Sequence, residues 1–362
     1  MLRWRYGTVI HLRRQWHGCV EVDIELTARS PDDPARIRAL AYTSIVGEPR
    51  IGDQVLLNCN ALAKGLGTGG YGFVVAIPER LPDDVDDPGH VVKGRYTPQQ
   101  VMTLSVDEQG SPHHDTIAAA VDISGVPVVV ADLHSALPAI LSGILDSRPQ
   151  ARVCYVMTDG GALPAWFSRT IDSLAPQLIG TITVGQAFGG DIEATNLYSG
   201  LLAARHVLAA DVVVVSQGPG NLGTDTRWGF SGVQSGEAVN AIAALGGRPI
   251  GALRISDVDP RERHHGISHH SVTAYGTIAL ARADLPVPRN LDEKLARRIA
   301  PTLDMLAHRH TIVTVDDTGL IRAVAASPVR VSTMGRGLDE DTAYFVSQAV
   351  AGRHAAALLQ SG

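Results

Sequence analysis

Along the first eighty residues, apolar and polar positions alternate in short runs. "YGTVIHL", "GCVEVDIEL", "RIRALAYTS", "DQVLLNCN" and "GYGFVVAI" carry the two-residue period of half-buried strands, and turn residues separate them. Five such strands in so short a span predict a small barrel of the SH3-like or OB-like sort. The glycine-rich "KGLGTGGYG" (64–72) reads as a hairpin tip rather than an anion nest, because glycine supplies φ > 0 without needing a ligand. Residues 78–92, "PERLPDDVDDPGHVV", combine proline and acidic residues with neither period, and predict a linker with a domain boundary near residue 88.

From about residue 97 the pattern changes. "VMTLSVDE", "VPVVVADL", "VCYVMTD", "GTITVG", "DVVVVSQ" and "PIGALRIS" read as strands, with helix-length stretches such as "SALPAILSGILDS" and "GEAVNAIAALG" between most of them. Uninterrupted valine runs mean strands buried on both faces, as in a parallel sheet covered by helices. After residue 291 follow a helix, "LDEKLARRIAPTLDMLAHR", the strands "HTIVTVD", "LIRAVAA" and "VRVSTMG", and a final helix. The expected architecture is therefore α/β: a small β-barrel over 1–88, a mostly parallel, doubly wound sheet over 89–290, and a C-terminal α/β extension or cap over 291–362.

Composition narrows the class. The chain has 362 residues, more than one ordinary core accommodates. Its apolar share of 45% and charged share of 19% allow sizeable buried cores. A net charge of −6 argues against a nucleic-acid binder, which needs a basic face. No apolar run approaches the ~18 residues that span a bilayer, and the basic start lacks the continuous apolar stretch of a signal peptide. Cys19, Cys59 and Cys154, odd in number and far apart, favour a reduced, cytoplasmic setting. Self-association into a homo-oligomer stays open at this level.

Candidate chemistry follows from one rule: ligands of open parallel sheets bind outside the carboxyl ends of the strands. The residues just after the expected strands are His113 and His114, then Asp132 and His134, then Asp159, then Gln186 and Asp191, then "GPGNLGTDTRWGFSG", then "DVDPRERHHGISHH". The last stretch packs His264, His265, His269 and His270 into seven positions. Ser268 is placed to cap a helix in whose first turn His269 and His270 stand, where the helix dipole favours neutral rings. Neutral imidazoles ligate divalent metals such as Zn²⁺ or Mn²⁺, with Asp132, Asp159 or Asp257 as carboxylate partners. A solvated helix start with one buried histidine is the bland alternative, since no HExxH or CxxC spacing is present. Asp132 could orient His134 as a general base, or merely cap the next helix. Asp132, His134, Asp159, His265 and His269 form the candidate catalytic set.

"GPGNLG" formally matches GxGxxG, but the loop runs on before helical sequence resumes, and no acidic residue follows at ribose-binding distance, so NAD is not expected. Gly218, Gly220, Asn221, Gly223 and Arg227 could instead cradle an anion through backbone N–H groups; a long loop that needs glycine for φ > 0 is the other reading.

The motifs "GHVVKGRYTPQQ", "VVVADLHSALPA", "SQGPGNLGTDTRWGFSG" and "HHGISHHSVTA", in this order, resemble the domain-of-unknown-function 3866 family of bacterial proteins over nearly the whole chain. Gly94 stands where the family pattern often has Leu. The resemblance implies a soluble bacterial protein and no catalytic residues to carry over. Two readings remain: an enzyme, hydrolase or group transferase, acting on a small anionic substrate, or a non-catalytic nucleotide or anion sensor whose barrel docks a partner.

Overall fold

A computed structural model describes residues 2–28, 33–66, 69–86 and 89–359. Gly67 and Thr68 of the glycine-rich tip, residues 87 and 88 of the expected linker, and the last three residues lie outside the described ones. The chain forms two compact units, one of Met1–Pro88, Val92–Thr103 and Trp166–Asp172, the other of Gly89–Val91, Leu104–Ala165 and Ser173–Gly362.

The first unit contains the expected barrel. Strands β1 (Trp4–Trp16), β2 (Cys19–Ala28), β3 (Arg36–Tyr42), β4 (Gln54–Asn58) and β5 (Tyr71–Ala76) close in the order β1-β2-β3-β5-β4. The alternation places Val9, Val22, Ile24, Val55 and Leu57 inside, all fully buried.

The second unit carries an eight-stranded sheet. Its strands are β6 (Pro127–Val130), β7 (Val153–Thr158), β8 (Gly180–Val184), β9 (Ile192–Ala194), β10 (Val212–Gln217), β11 (Arg248–Gly251), β12 (Asp284–Pro288) and β13 (Thr311–Val315). Their order is β9-β8-β7-β10-β6-β11-β12-β13, every pairing parallel. Val128, Val129 and Val130 have no exposed surface, as strands covered on both faces require. The helices are α1 (Leu137–Ser147), α2 (Leu197–His206), α3 (Gln234–Ala244), α4 (Glu293–Ala307), α5 (Leu320–Ala325) and α6 (Thr342–Ala357). Helices α1, α5 and α6 pack together over one face, and α2 packs with α3 over the other. The α1–α6 crossing needs two glycines: a Cβ on Gly143 would lie 2.0 Å from the Ala349 carbonyl oxygen, and one on Gly352 would lie 2.0 Å from that of Ile140.

Three sequence expectations change. "VMTLSVDE" contributes Val101–Thr103, which pairs with Val91–Lys93 in a separate ribbon, and a single parallel bridge from Ser105 to Glu193 at the sheet edge, so His113 and His114 follow no full strand of the main sheet. "LIRAVAA" is helix α5, not a strand: Leu320 and Val324, four apart, are its buried residues, and Gly319 starts it with φ +84°. In "VRVSTMG" only Ser332–Thr333 is extended.

Candidate functional site

Strands β10 and β6 are neighbours, yet the chain leaves β6 for β7 through α1 and leaves β10 for β11 through α3. These helices cover opposite faces, so the loops after β6 and β10 part at the carboxyl edge. A crevice at such a switch point is the usual ligand position in open α/β sheets. The β6 loop supplies Asp132 and His134. The β10 loop begins at Gln217, and the chain beyond β11 supplies Arg254 and residues 259–270.

The histidine-rich stretch is shaped locally. Gly266, at φ +74°, starts a two-residue strand that pairs with Ile255–Ser256. Ser268 then caps a one-turn helix, His269–Thr273, accepting the His270 N–H at 3.2 Å. Its hydroxyl also meets Nδ1 of His264 at 2.7 Å. The turn folds three imidazoles together: one nitrogen from each of His264, His269 and His270 lies within 4.8 Å of the other two. The ring of Phe230, from the end of the β10 loop, stacks on His270 with centroids 3.9 Å apart and planes 1° from parallel. Asp132 Oδ2 stands 3.7 Å from His270 Nδ1, beyond hydrogen-bond length.

Four atoms here are buried and lack a hydrogen-bond partner: Nε2 of His264, Nε2 of His269, Nδ1 of His270 and Oδ2 of Asp132. The surroundings keep two of the rings neutral. Burial, followed by the charges of Arg254 and Arg261 and by His270, lowers the His264 pKa to about 2. Burial, His270 and Arg263 lower His269 to about 4. Arg254 and Arg261 belong to a cluster around the fully buried Asp259, whose carboxylate also bonds Arg336 at 3.0 Å. Burial opposes the Asp259 charge, but Arg261 and Arg254 outweigh it and hold the carboxyl well below its usual range. Arg336 continues to Asp341, which Ser256 also bonds at 3.0 Å.

The remaining sequence candidates are placed as follows. His265 is not in the three-ring group; its Nε2 lies against the Asp259 carbonyl. His134 directs Nδ1 to the Tyr155 hydroxyl at 3.1 Å, and burial lowers its pKa to about 4. Asp132 thus faces His270 and not that nitrogen of His134. Asp159, after β7, accepts from Gln234 Nε2 at 3.3 Å and the Gln186 N–H at 2.9 Å. Asp257 is exposed.

In the glycine-rich loop, Asn221 Oδ1 accepts from Gln217 Nε2, Ser231 Oγ and the Gly232 N–H, so it closes the loop on itself. Gly218 lets the loop pass Ala162, whose carbonyl oxygen would lie 2.4 Å from an added Cβ. Gly220 has φ +92°, and Gly223 bridges to Phe230. Arg227 bonds Thr277 at 3.0 Å and lies over the Trp228 ring. Helix α3 starts only at Gln234, eleven residues beyond Gly223.

Sequence reasoning missed Phe230, Gln217, Arg254 and Asp259, and with the last two the cluster that holds Arg336. An arginine inside the otherwise apolar "GALRIS" was the signal for the cluster; a stacking ring from a distant loop left none.

Among the described residues no helix is long and apolar enough to cross a membrane. A family model described as a protein of unknown function, DUF3866, matches residues 38–352. No curated protein and no solved structure matches.

Proposed function

The chain belongs to the DUF3866 family, and we propose that this member is a metal-dependent hydrolase or group transferase acting on a small anionic substrate. His264, His269 and His270, with Asp132 alongside, hold a divalent cation such as Zn²⁺ or Mn²⁺. One observation carries the reading: three gathered imidazoles and an adjacent carboxylate each bury an unpartnered ligand atom. Each such atom costs about 1–3 kcal/mol when left unsatisfied, and a cation accepts lone pairs from all of them. The donor set of imidazole nitrogen with carboxylate oxygen suits borderline divalent metals. The Ser268 hydroxyl on His264 Nδ1 is the outer bond that orients a ligating ring.

A bound divalent ion would supply Lewis acidity and an activated water. Around it, Phe230 fixes the His270 ring plane and the Arg254–Arg261–Arg336 group sets three guanidiniums against two carboxylates. That surplus favours an anionic ligand over a cationic one.

The test is elemental analysis of protein purified without a metal-binding tag, followed by cobalt titration and its visible spectrum. About one equivalent of metal in the wild type, lost in H264A and H269A, is expected. Metal-free protein that takes up neither zinc nor cobalt refutes the proposal.

A further inference from the structure

A cleft of about 290 Å³ opens at the carboxyl ends of β7 and β8, between the first turns of α2 and α3. Thr158, Asp159, Gly185, Tyr198, Gln234 and Glu237 line it. Its volume is close to the lower bound of ordinary small-ligand pockets. Chain directions favour a crevice here too, since β7 leads to β8 and its neighbour β10 leads the opposite way to β11. Gly185 is held open by need: at φ +65°, its Cβ would stand 2.4 Å from Asp159 Oδ2.

Behind the cleft, across the Thr158–Gln234 hydrogen bond of 3.2 Å, lies a second space. Thr158 and Gln234 also line a cavity of about 10 Å³, room for one water, whose other walls include Asp132 and Gln217. Both are more than nine-tenths buried, and Asp132 Oδ2 and Gln217 Oε1 lack hydrogen-bond partners. The Gln217 orientation is fixed, because its Nε2 donates to the Asp132 carbonyl at 2.7 Å and to Asn221 Oδ1 at 2.9 Å. Its Oε1 therefore faces Gly160, where an added Cβ would approach to 2.6 Å.

The cleft presents the carboxylates of Asp159 and Glu237, and the unpartnered Gln217 Oε1 is a further buried acceptor behind it, Asp132 Oδ2 being turned to His270. Such a lining binds a molecule that brings hydrogen-bond donors. Leu197 and the half-exposed Tyr198 ring add an apolar wall. We propose that the cleft receives a hydroxyl-rich ring, a sugar or the ribose of a nucleoside, with Asp159 and Glu237 accepting from its hydroxyls. Taking that molecule as the substrate rests on the enzyme reading above. Asp132 and Asp159 end strands two places apart, about 10 Å at ~4.8 Å per strand. A ring in the cleft then extends its anionic group toward the imidazoles.

Binding is read by saturation-transfer NMR and calorimetry on the full chain, chelated and zinc-loaded, with adenosine and ribose 5-phosphate as probes. Both probes bind, and E237Q, which lies on the helix surface, weakens adenosine about tenfold, the loss of roughly one charge-assisted hydrogen bond. D159N weakens it at least as much, with unfolding curves confirming an intact fold. Failure of both probes to bind the wild type overturns the proposal. So does binding that E237Q and D159N leave unchanged, or equal displacement by spermidine, which would mean recognition of cationic amines. Adenosine binding in protein that takes up no metal supports the cleft and sinks the enzyme reading alone.

Discussion

Acid should unfold the metal-free protein through histidines that the fold keeps neutral. His134 is 8% exposed and His264 fully buried, with pKa values lowered to about 4 and about 2. In the unfolded chain both titrate near 6.5. Below that pH the unfolded state takes up protons that the folded state refuses, so stability is present above pH 6.5 and lost as pH falls toward the folded values. Each proton contributes a slope of about 1.4 kcal/mol per pH unit, hence about 2 kcal/mol per histidine between pH 8 and 5 and about 4 kcal/mol for the pair. His269, lowered to about 4, acts in the same direction. The assay is urea unfolding followed by far-ultraviolet circular dichroism, in chelator, from pH 8 to 5. H264Q removes one titrating group and should flatten the acid limb by about 1.4 kcal/mol per unit. A wild-type stability that stays level across this range, or a variant that keeps the full slope, refutes the reasoning. Zinc should steepen the dependence, because protons then compete with the ion for the rings.

Two further outcomes follow from geometry. F230L keeps bulk but removes the 3.9 Å stack on His270, and should weaken metal affinity about tenfold in a chelator-competition assay, the scale of losses from outer-shell partners. G352A drives a Cβ to 2.0 Å from the Ile140 carbonyl oxygen; denaturant midpoints should fall by an equivalent of about 1–3 kcal/mol.

Much of the fold was readable because burial leaves a direct trace in residue type. Val128, Val129 and Val130 announce a strand covered on both faces, and the alternation in "GCVEVDIEL" announces one covered on a single face. "LIRAVAA" misled because its apolar residues fit either period, and only the neighbouring α1 and α6 decide for helix. At the candidate site, the density of histidines pointed to the stretch in which three rings gather. It could not separate His264 from its neighbour His265, since that choice is made by the capping hydroxyl of Ser268 on one ring and the Asp259 carbonyl on the other. The Asp132–His270 approach joins loops 138 residues apart, and no spacing rule reports it.

The distribution of unsatisfied groups ties these strands together. Buried polar atoms are almost always hydrogen-bonded, and ordinary packing defects have no reason to collect. Among the described residues, the buried side-chain atoms without a partner belong to Asp132, Gln217, His264, His269, His270 and Asp341, all in the second unit and none in the barrel. Asp132 follows β6 and Gln217 ends β10, the two adjacent strands whose connections part. Asp341 reaches the same region through Arg336 and Asp259, whose partners Arg254 and Arg261 set the field on His264. The core satisfies its polar atoms elsewhere among the described residues and leaves imidazole nitrogens, a carboxylate and an amide oxygen open around one crevice, which is the pattern the proposed function rests on. Under the proposal, a cation takes the imidazole nitrogens with Asp132, and hydroxyl donors of the ring meet Asp159 and Glu237 in the neighbouring cleft.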